Sequence, residues 1–542
     1  MVYFLSVEIF FLFTLAVLVR YSLLRHRYFL HMAQLNGYKS NEFWVWIKHN
    51  WSKDIVPFEY YFIYIILALH LLGYKYVTLT THTLILSFAV LFWFISIKRY
   101  RQKQKKTLSF TPRMLRQTIT SVALTLPVLV WGFTTAFSIQ SEFIHPTFLL
   151  SSIAATGFLA PFYILLAGII NKPLENSIQN GFKKQASKKV KQFSDLKVIG
   201  ITGSYGKTST KFMIRDLLNE RFSVLATPGS YNTPMGICKV INQDLTQGHQ
   251  VLVLEMGARY KGNIQELCEI APPNISVVTN VGKAHLETFG SQQAIAETKA
   301  ELVQHMASGG VSFLNANDLL VLGMSRVTTS QIITAGIDTG DYQATDIRYD
   351  QNGCSFTVIT PEEQAIDISM PLLGAHNVQN MVLAIALAHY MGLRLETIAL
   401  AAKRMQPIEH RLELKRQNDI LIIDDAFNSN PVGAKNAVEI LAKFTGGKRI
   451  IITPGMVELG DREFEENELL GREIGKYDLE KVLFVGKKRS EPLVKGYLAA
   501  GGAPENMVVV SSLFEANELI KPLLTAGDII LYENDLPDSY NE

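Results

Sequence analysis

The residues of this chain best suited to chemistry stand in one run, Thr202-Gly203-Ser204-Tyr205-Gly206-Lys207-Thr208, directly behind the apolar stretch Val198-Ile199-Gly200-Ile201. A buried strand running into a Gly-rich turn that ends in Gly-Lys-Thr is the layout of a phosphate-binding loop. The glycines let backbone N–H groups turn toward phosphate oxygens, Lys207 brings a cation to the β/γ-phosphates, and Thr208 offers a hydroxyl to Mg²⁺. Residues 209–220, beginning at Ser209, read as a helix whose N-terminal dipole also favours phosphate. The spacing departs from the general nucleotide-binding pattern. Its first glycine would fall at Ile201, whereas this chain has Gly203, and the shorter interval points to a subset of nucleotide enzymes.

Acidic and imidazole groups follow, each at the end of an expected strand. Val251-Leu252-Val253-Leu254 is continuously apolar, as in a parallel strand covered on both faces, and ends in Glu255. A carboxylate there lies at the rim where open α/β sheets bind ligands, as a Mg²⁺ ligand or a simple cap. The strand expected over residues 275–279 leads to His285, an imidazole that is either structural or completes a metal site. Lys299 lies in a helical segment and, taken alone, reads as a solvated surface lysine.

These groups need a scaffold, and the composition divides it. At 542 residues the chain has room for three or four domains. The net charge of +3 gives no global field suited to nucleic acid, and no nucleic-acid partner is expected. The three cysteines, Cys238, Cys268 and Cys354, have no metal-ligand spacing, and their odd number argues for reduced thiols. The first 170 or so residues are dominated by large apolar side chains. Five stretches there, residues 2–19, 58–74, 79–97, 119–137 and 148–170, approach the length of about 20 residues that crosses a bilayer. Two connections between them are strongly basic, and basic excess marks the cytoplasmic side. The expected topology places the N-terminus outside and the phosphate loop in the cytosol, where ATP is. A signal peptide is the rival for the first stretch, but Arg20 stands where a cleavage site would be. Residues 42–47, with Trp44 and Trp46, suit a helix lying in the cytoplasmic interface.

Beyond these separate readings, the chain resembles a known family over residues 197–528, about two-thirds of its length. The phosphate loop, Glu255-Met256-Gly257, Thr279-Asn280, His285-Leu286-Glu287, Phe289-Gly290-Ser291 and Lys299 resemble the central domain of the Mur ligases. So do Gly374-Ala375-His376-Asn377 with Asn380, and Asp424-Asp425-Ala426-Phe427-Asn428-Ser429-Asn430-Pro431. This is the family of ATP-dependent amide ligases that build the peptidoglycan stem peptide. The last run looks most like members that add D-alanyl-D-alanine rather than a single amino acid. The resemblance implies that a carboxylate takes the γ-phosphoryl group of ATP, and that an amine attacks the acyl phosphate and expels phosphate. It implies two Mg²⁺ ions, one held by Thr208 and Glu255 and one served by His285. It also implies that Lys299 matches a lysine which relatives carbamylate, reversing the surface reading. Asn280, Asn315, His376 and Asn377 match positions near the nucleotide, and Arg411 matches an arginine that reaches the ATP phosphates when domains close. Asp425, Asn428 and Asn430 match a loop that binds nucleotide and incoming amine.

The expected architecture is an N-terminal α-helical membrane domain (1–175) and a basic linker (176–196), followed by two α/β domains. These are a phosphate-loop central domain (197–405) and a Rossmann-like C-terminal domain (406–542). Two departures from the family stand out. Soluble relatives begin with a domain that grips the UDP end of the substrate, where this chain has apolar stretches. Relatives also follow the last strand with a Lys-Gly-Ser-type loop, where this chain reads Tyr532-Glu533-Asn534-Asp535. The first suggests a peptidoglycan-precursor-like carboxylate that is lipid-linked or presented at the bilayer, with the enzyme multi-pass in a bacterial cell membrane. The second suggests an acceptor or substrate end bearing a positive group. Two rivals stay open. One is the same chemistry on another polymer, such as a poly-amino acid or polyglutamate tail; the other is a membrane scaffold whose domain binds ATP without catalysis.

Overall fold

The computed structural model describes residues 2–55, 107–138, 144–282, 286–350, 352–406, 412–426, 429–444, 446–457 and 459–534. The chain divides into two compact units, Met1–Gln179 and Asn180–Glu542.

Helices build the first unit: α1 (Val2–Leu35), α2 (Ser40–His49), α3 (Pro112–Ser138) and the start of α4 (Ile144–Gln192). The first, fourth and fifth apolar stretches fall within α1, α3 and α4, whereas residues 58–74 and 79–97 lie outside the described residues. Two helices among the described residues, Pro112–Ser138 and Leu149–Gln192, are long and apolar enough to cross a membrane. The helix expected over residues 42–47 lies within α2, which buries Phe43 and Ile47 and leaves Trp44 exposed.

Burial on α3 is reversed from that of a water-soluble helix. Gln117, Ser121, Thr125, Gly132 and Ala136 face inward, while Leu115, Ile119, Leu126, Val130, Trp131, Phe133 and Phe137 are each more than half exposed. Polar contacts tie the helices together. Arg116 donates to both Glu175 oxygens, Nε at 2.6 Å and Nη2 at 3.0 Å, and Thr120 donates to Asn171 Oδ1 at 3.0 Å. Four residues forward on α3 match four backward on α4, so this pair is antiparallel. Ser22 donates to Ile153 O (3.0 Å) and Arg25 Nε to Gly157 O (2.9 Å), so α1 and α4 run parallel. The second bond has a local cause. Pro161 inside α4 has no N–H to give the carbonyl four residues back, and Arg25 supplies the missing donor. Its other end caps Ile55 O at 2.5 Å.

The second unit is built on two sheets. The first has nine strands in the order β2-β3-β1-β4-β5-β6-β7-β8-β9. Its strands β1 (Lys197–Thr202), β2 (Val224–Ala226), β3 (Val251–Glu255), β4 (Ile275–Val278), β5 (Val311–Asn315), β6 (Gln331–Ile337) and β7 (Tyr342–Asp350) pair in parallel. The last two, β8 (Gly353–Ile359) and β9 (Ala365–Met370), add on antiparallel. Alternation within strands feeds two cores. Ile199, Ile201, Val251 and Val253 pack with α5 (Lys207–Leu218), α9 (Ala375–Tyr390) and α10 (Leu395–Lys403). Val198, Leu252 and Leu254 pack with α6 (Pro234–Asp244), α7 (Asn263–Ile270) and α8 (Gln292–Gln304). Covering both faces with helices explains why these strands are apolar throughout. The three cysteines are buried and none forms a disulfide.

The second sheet has the order β10-β11-β15-β12-β13-β14. Its parallel strands β11 (Ile420–Asp425), β12 (Arg449–Thr453), β13 (Lys481–Val485), β14 (Met507–Val510) and β15 (Ile529–Glu533) coincide with the apolar runs that the sequence offers as strands at residues 420–423, 449–452, 482–485, 507–510 and 528–532. The edge strand β10 (Glu413–Gln417) joins β11 through Asn418 and Asp419, both at positive φ. Helices α11 (Pro431–Lys443), α12 (Glu463–Gly475) and α13 (Glu491–Ala499) cover one face, and α14 (Leu513–Ile520) the other. Because β15 lies between β11 and β12, the loops leaving all three strands meet at the carboxyl edge, where open α/β sheets bind ligands.

Candidate active site

The phosphate loop closes over the carboxyl end of β1 and opens directly into α5, which begins at Lys207 rather than Ser209. Gly206 caps the helix at φ +78, and a Cβ there would meet the Asn380 side chain at 2.7 Å, so the position admits only glycine. Asn280 grips the loop from β4. It donates through Nδ2 to Tyr205 O (3.1 Å), accepts from Tyr205 N–H through Oδ1 (2.9 Å), and its carbonyl takes Ser204 N–H. Ser204 exchanges hydrogen bonds with the backbone of Gly282 at 3.2 and 2.9 Å. The Lys207 ammonium donates to Gly203 O (2.8 Å) and Ser204 O (3.1 Å), folded back over its own loop.

Glu255 is the centre of a buried polar cluster. Its Oε2 accepts from Thr208 Oγ1 at 2.9 Å and from Lys211 Nζ at 3.2 Å, and its Oε1 accepts from Asn232 Nδ2 at 3.2 Å. The structure therefore brings Thr208 and Glu255 together, as one shared cation would require. Lys211 was not singled out from the sequence. It is fully buried, one helical turn beyond Lys207, and also donates to Gly229 O on the loop that carries Asn232. The available signal was a lysine on the face of α5 that otherwise buries Thr208, Met213 and Ile214. Breaking such a pair by removing one partner is costly, because it strands a charge in the interior.

Lys299 corrects the surface reading: it is buried on α8, only 5% exposed. Burial, with the Lys207 ammonium nearby, pushes its amine well below the usual lysine range. Among the described residues it donates no hydrogen bond, so nothing there compensates a charge on it.

The remaining expected residues divide by what they touch. Asn315 donates to Thr279 O (2.6 Å) and Asn377 to Leu373 O (2.8 Å), both buried within the scaffold behind the loop. His376 Nδ1 meets Asn436 Nδ2 on α11 at 3.2 Å, linking the two sheets' domains. Asp425 ends β11 and its Oδ1 accepts from Leu412 N–H at 3.1 Å. Asn430 caps α11, accepting from Gly433 N–H at 2.9 Å. His285, Arg411 and Asn428 lie outside the described residues.

At the second sheet's edge, Glu533 is fully buried and accepts from the hydroxyls of Ser429 and Thr453. Burial, with Asp425 adding to it, pushes its carboxyl up to about 7. The acidic replacement seen in the sequence thus turns inward at Glu533, whereas Asp535 and beyond lie outside the described residues.

Comparison with known proteins agrees with this geometry. Residues 201–388 match the Mur ligase middle domain and residues 410–532 the Mur ligase glutamate ligase domain. The UDP-N-acetylmuramoyl-tripeptide–D-alanyl-D-alanine ligase of Mycobacterium tuberculosis is 35% identical over 357 residues, covering 62% of this chain and 70% of the relative. The enzyme of that name from Bacillus subtilis is 32% identical, covering 65% of this chain and 75% of the relative. Among solved structures, MurF from Acinetobacter baumannii superposes with a TM-score of 0.60 at 28% identity, over 66% of this chain and 77% of that one. MurF ligase from Thermotoga maritima in complex with ADP gives 0.58 at 27% identity, over 66% and 80%. Agreement of this extent across both α/β domains places the chain in the Mur ligase family, as an ATP-dependent amide ligase.

Proposed function

We propose that this ligase joins the amine of a dipeptide, D-alanyl-D-alanine in the names its relatives carry, to the carboxylate of a peptidoglycan precursor at the cytoplasmic face of a membrane. The observation that carries the chemistry is the convergence of Thr208, Glu255 and Lys211 beneath a phosphate loop with Lys299 sunk beside Lys207. The obstacle to the reaction is that a carboxylate must attack a polyanion. Lys207 leaves its own loop carbonyls for the β/γ-phosphates, and the backbone N–H groups at the start of α5 hold the remaining phosphate charge. The donor set, a buried carboxylate and a hydroxyl 2.9 Å apart, fits a divalent cation. Thr208 and Glu255 would hold Mg²⁺, which would supply charge neutralisation on the phosphates. The acyl phosphate formed from the substrate carboxylate is then attacked by the amine, held by the loop bearing Asp425, Asn428 and Asn430, and phosphate departs. Arg411 and His376 complete the site from the domain junction, with Asn280 setting the loop.

Lys299 deepens this reading. A lysine kept neutral by burial is the form that adds CO₂, losing a proton as the carbamate forms, and the product is an anion suited to a second Mg²⁺ together with His285. Replacing Lys299 with alanine should abolish turnover at any bicarbonate concentration, with partial rescue by a short carboxylic acid. Full activity of that variant, indifferent to bicarbonate, refutes the carbamate.

The membrane side rests on α3. Its outward apolar row and inward small or polar row suit a helix with lipid on one side and helices on the other. The parallel run of α1 and α4, with α3 antiparallel, is the arrangement a five-span topology requires. Purified full-length protein should release ADP only with Mg²⁺, D-alanyl-D-alanine and a muramoyl-tripeptide, and should favour a lipid-linked precursor over the UDP-linked one. Absence of ADP release with any amine defeats the ligase chemistry; equal or reversed preference defeats the lipid-linked substrate.

A further inference from the structure

The loops at the carboxyl edge of the second sheet are fastened by two consecutive residues at the end of β15. Glu533 receives hydroxyl protons from Ser429, on the loop after β11, and from Thr453, at the end of β12. Asn534 makes three more ties. Its backbone N–H donates to Asp425 O (3.1 Å), its Oδ1 accepts from Ser429 N–H (3.2 Å), and its Nδ2 donates to Gly455 O (2.5 Å). Asn534 can do so because it takes the left-handed backbone, φ +64, which Asn tolerates better than most side chains. Thr453 Oγ1 in turn accepts from Gly455 N–H at 3.0 Å, which closes the ring.

We infer that Glu533 and Asn534 are positioning residues for the ligation step, clasping the loop expected to hold the incoming amine. This rests on the ligase reading above. The bonds run to Ser429, which is flanked by Asn428 and Asn430, and to Asp425, whose carboxylate holds Leu412 next to Arg411. One clasp therefore governs both the amine loop and the entry to the domain. A charge offered to a cationic substrate does not explain Glu533, because no part of its side chain reaches solvent. Nor does simple packing, since an apolar residue would strand the Ser429 and Thr453 hydroxyls.

Steady-state kinetics on the full-length enzyme, with D-alanyl-D-alanine as the probe amine, tests this through KM for each substrate. Glu533→Ala should raise the amine KM about tenfold, the size of a lost buried hydrogen bond, and leave the ATP KM within about twofold. Glu533→Gln should restore the amine KM to within about threefold, since a carboxamide can accept from one hydroxyl and donate to the other. An unchanged amine KM in Glu533→Ala, or equal rises for amine and ATP, overturns the inference. If that variant does not fold, Ser429→Ala removes one arm alone, and its amine KM must still rise. A wild-type enzyme that forms no product with any amine would instead sink the ligase reading.

Discussion

Glu255 and Glu533 occupy equivalent places in two different sheets, yet they are built to opposite ends. Each is the last residue of a parallel strand, each is buried, and each receives a threonine hydroxyl. Glu255 has the Lys211 ammonium against it, whereas among the described residues Glu533 meets hydroxyls and has Asp425 nearby. On the proposed reading the first is a charge kept in place for phosphate and metal; the second is a fastening that takes hydroxyl protons from two neighbouring loops. Position at the rim of a sheet marks a functional residue, but the sign of its neighbours decides which function.

The contrast breaks most readily at Glu255. Glu255→Gln should lower kcat by about 10³ per folded molecule, the scale of losing one preorganised electrostatic group, measured as ADP release. A loss below tenfold would remove Glu255 from the chemistry. Lys211→Met, which leaves Glu255 buried without its cation, should cost about 3–5 kcal/mol in urea unfolding; a change under 1 kcal/mol would deny that the pair is needed. For Glu533 the sign runs the other way. Its folded pKa, about 7, lies above the ordinary carboxyl value of 4.5, so its contribution is full below pH 4.5 and is lost as pH rises to about 7. That loss amounts to about 3 kcal/mol, and Glu533→Gln should flatten this part of the stability profile. An identical profile in the variant would place the titration elsewhere. The smallest effect belongs to the cap of the clasped loop. Asn430→Ala should lower stability by about 1 kcal/mol, and Asn430→Asp, which keeps the acceptor, should restore it.

The sequence made the phosphate loop, Glu255 and the five strands of the second sheet legible, because each rests on a local pattern: glycine spacing, or an apolar run ending in an acid. The antiparallel addition β8–β9 was not resolved: its strands alternate, as Cys354-Ser355-Phe356-Thr357-Val358 and Ile366-Asp367-Ile368-Ser369-Met370, but carry no chemical motif. Lys299 and Lys211 were opaque for a different reason. A lysine on a helix reads as solvated until the packing of a neighbouring layer is known, and both are covered by residues distant in the chain. The acidic residue after β15 was visible, but not its direction. Whether it faced substrate or the protein depended on hydroxyls 104 and 80 positions away.

The bond between Arg25 and Gly157 O spans 132 positions. At ribosomal speeds of about 5–20 residues per second, the arginine is made on the order of ten seconds before the carbonyl that will receive it. During that interval the guanidinium can reach Ile55 O but its Nε has no Gly157 carbonyl to meet, so the tie from α1 to α4 forms only once α4 has been synthesised. Closure of the helical unit therefore waits on α4, whose residues reach α1 first at Ile153 and Gly157 and α3 later at Asn171 and Glu175.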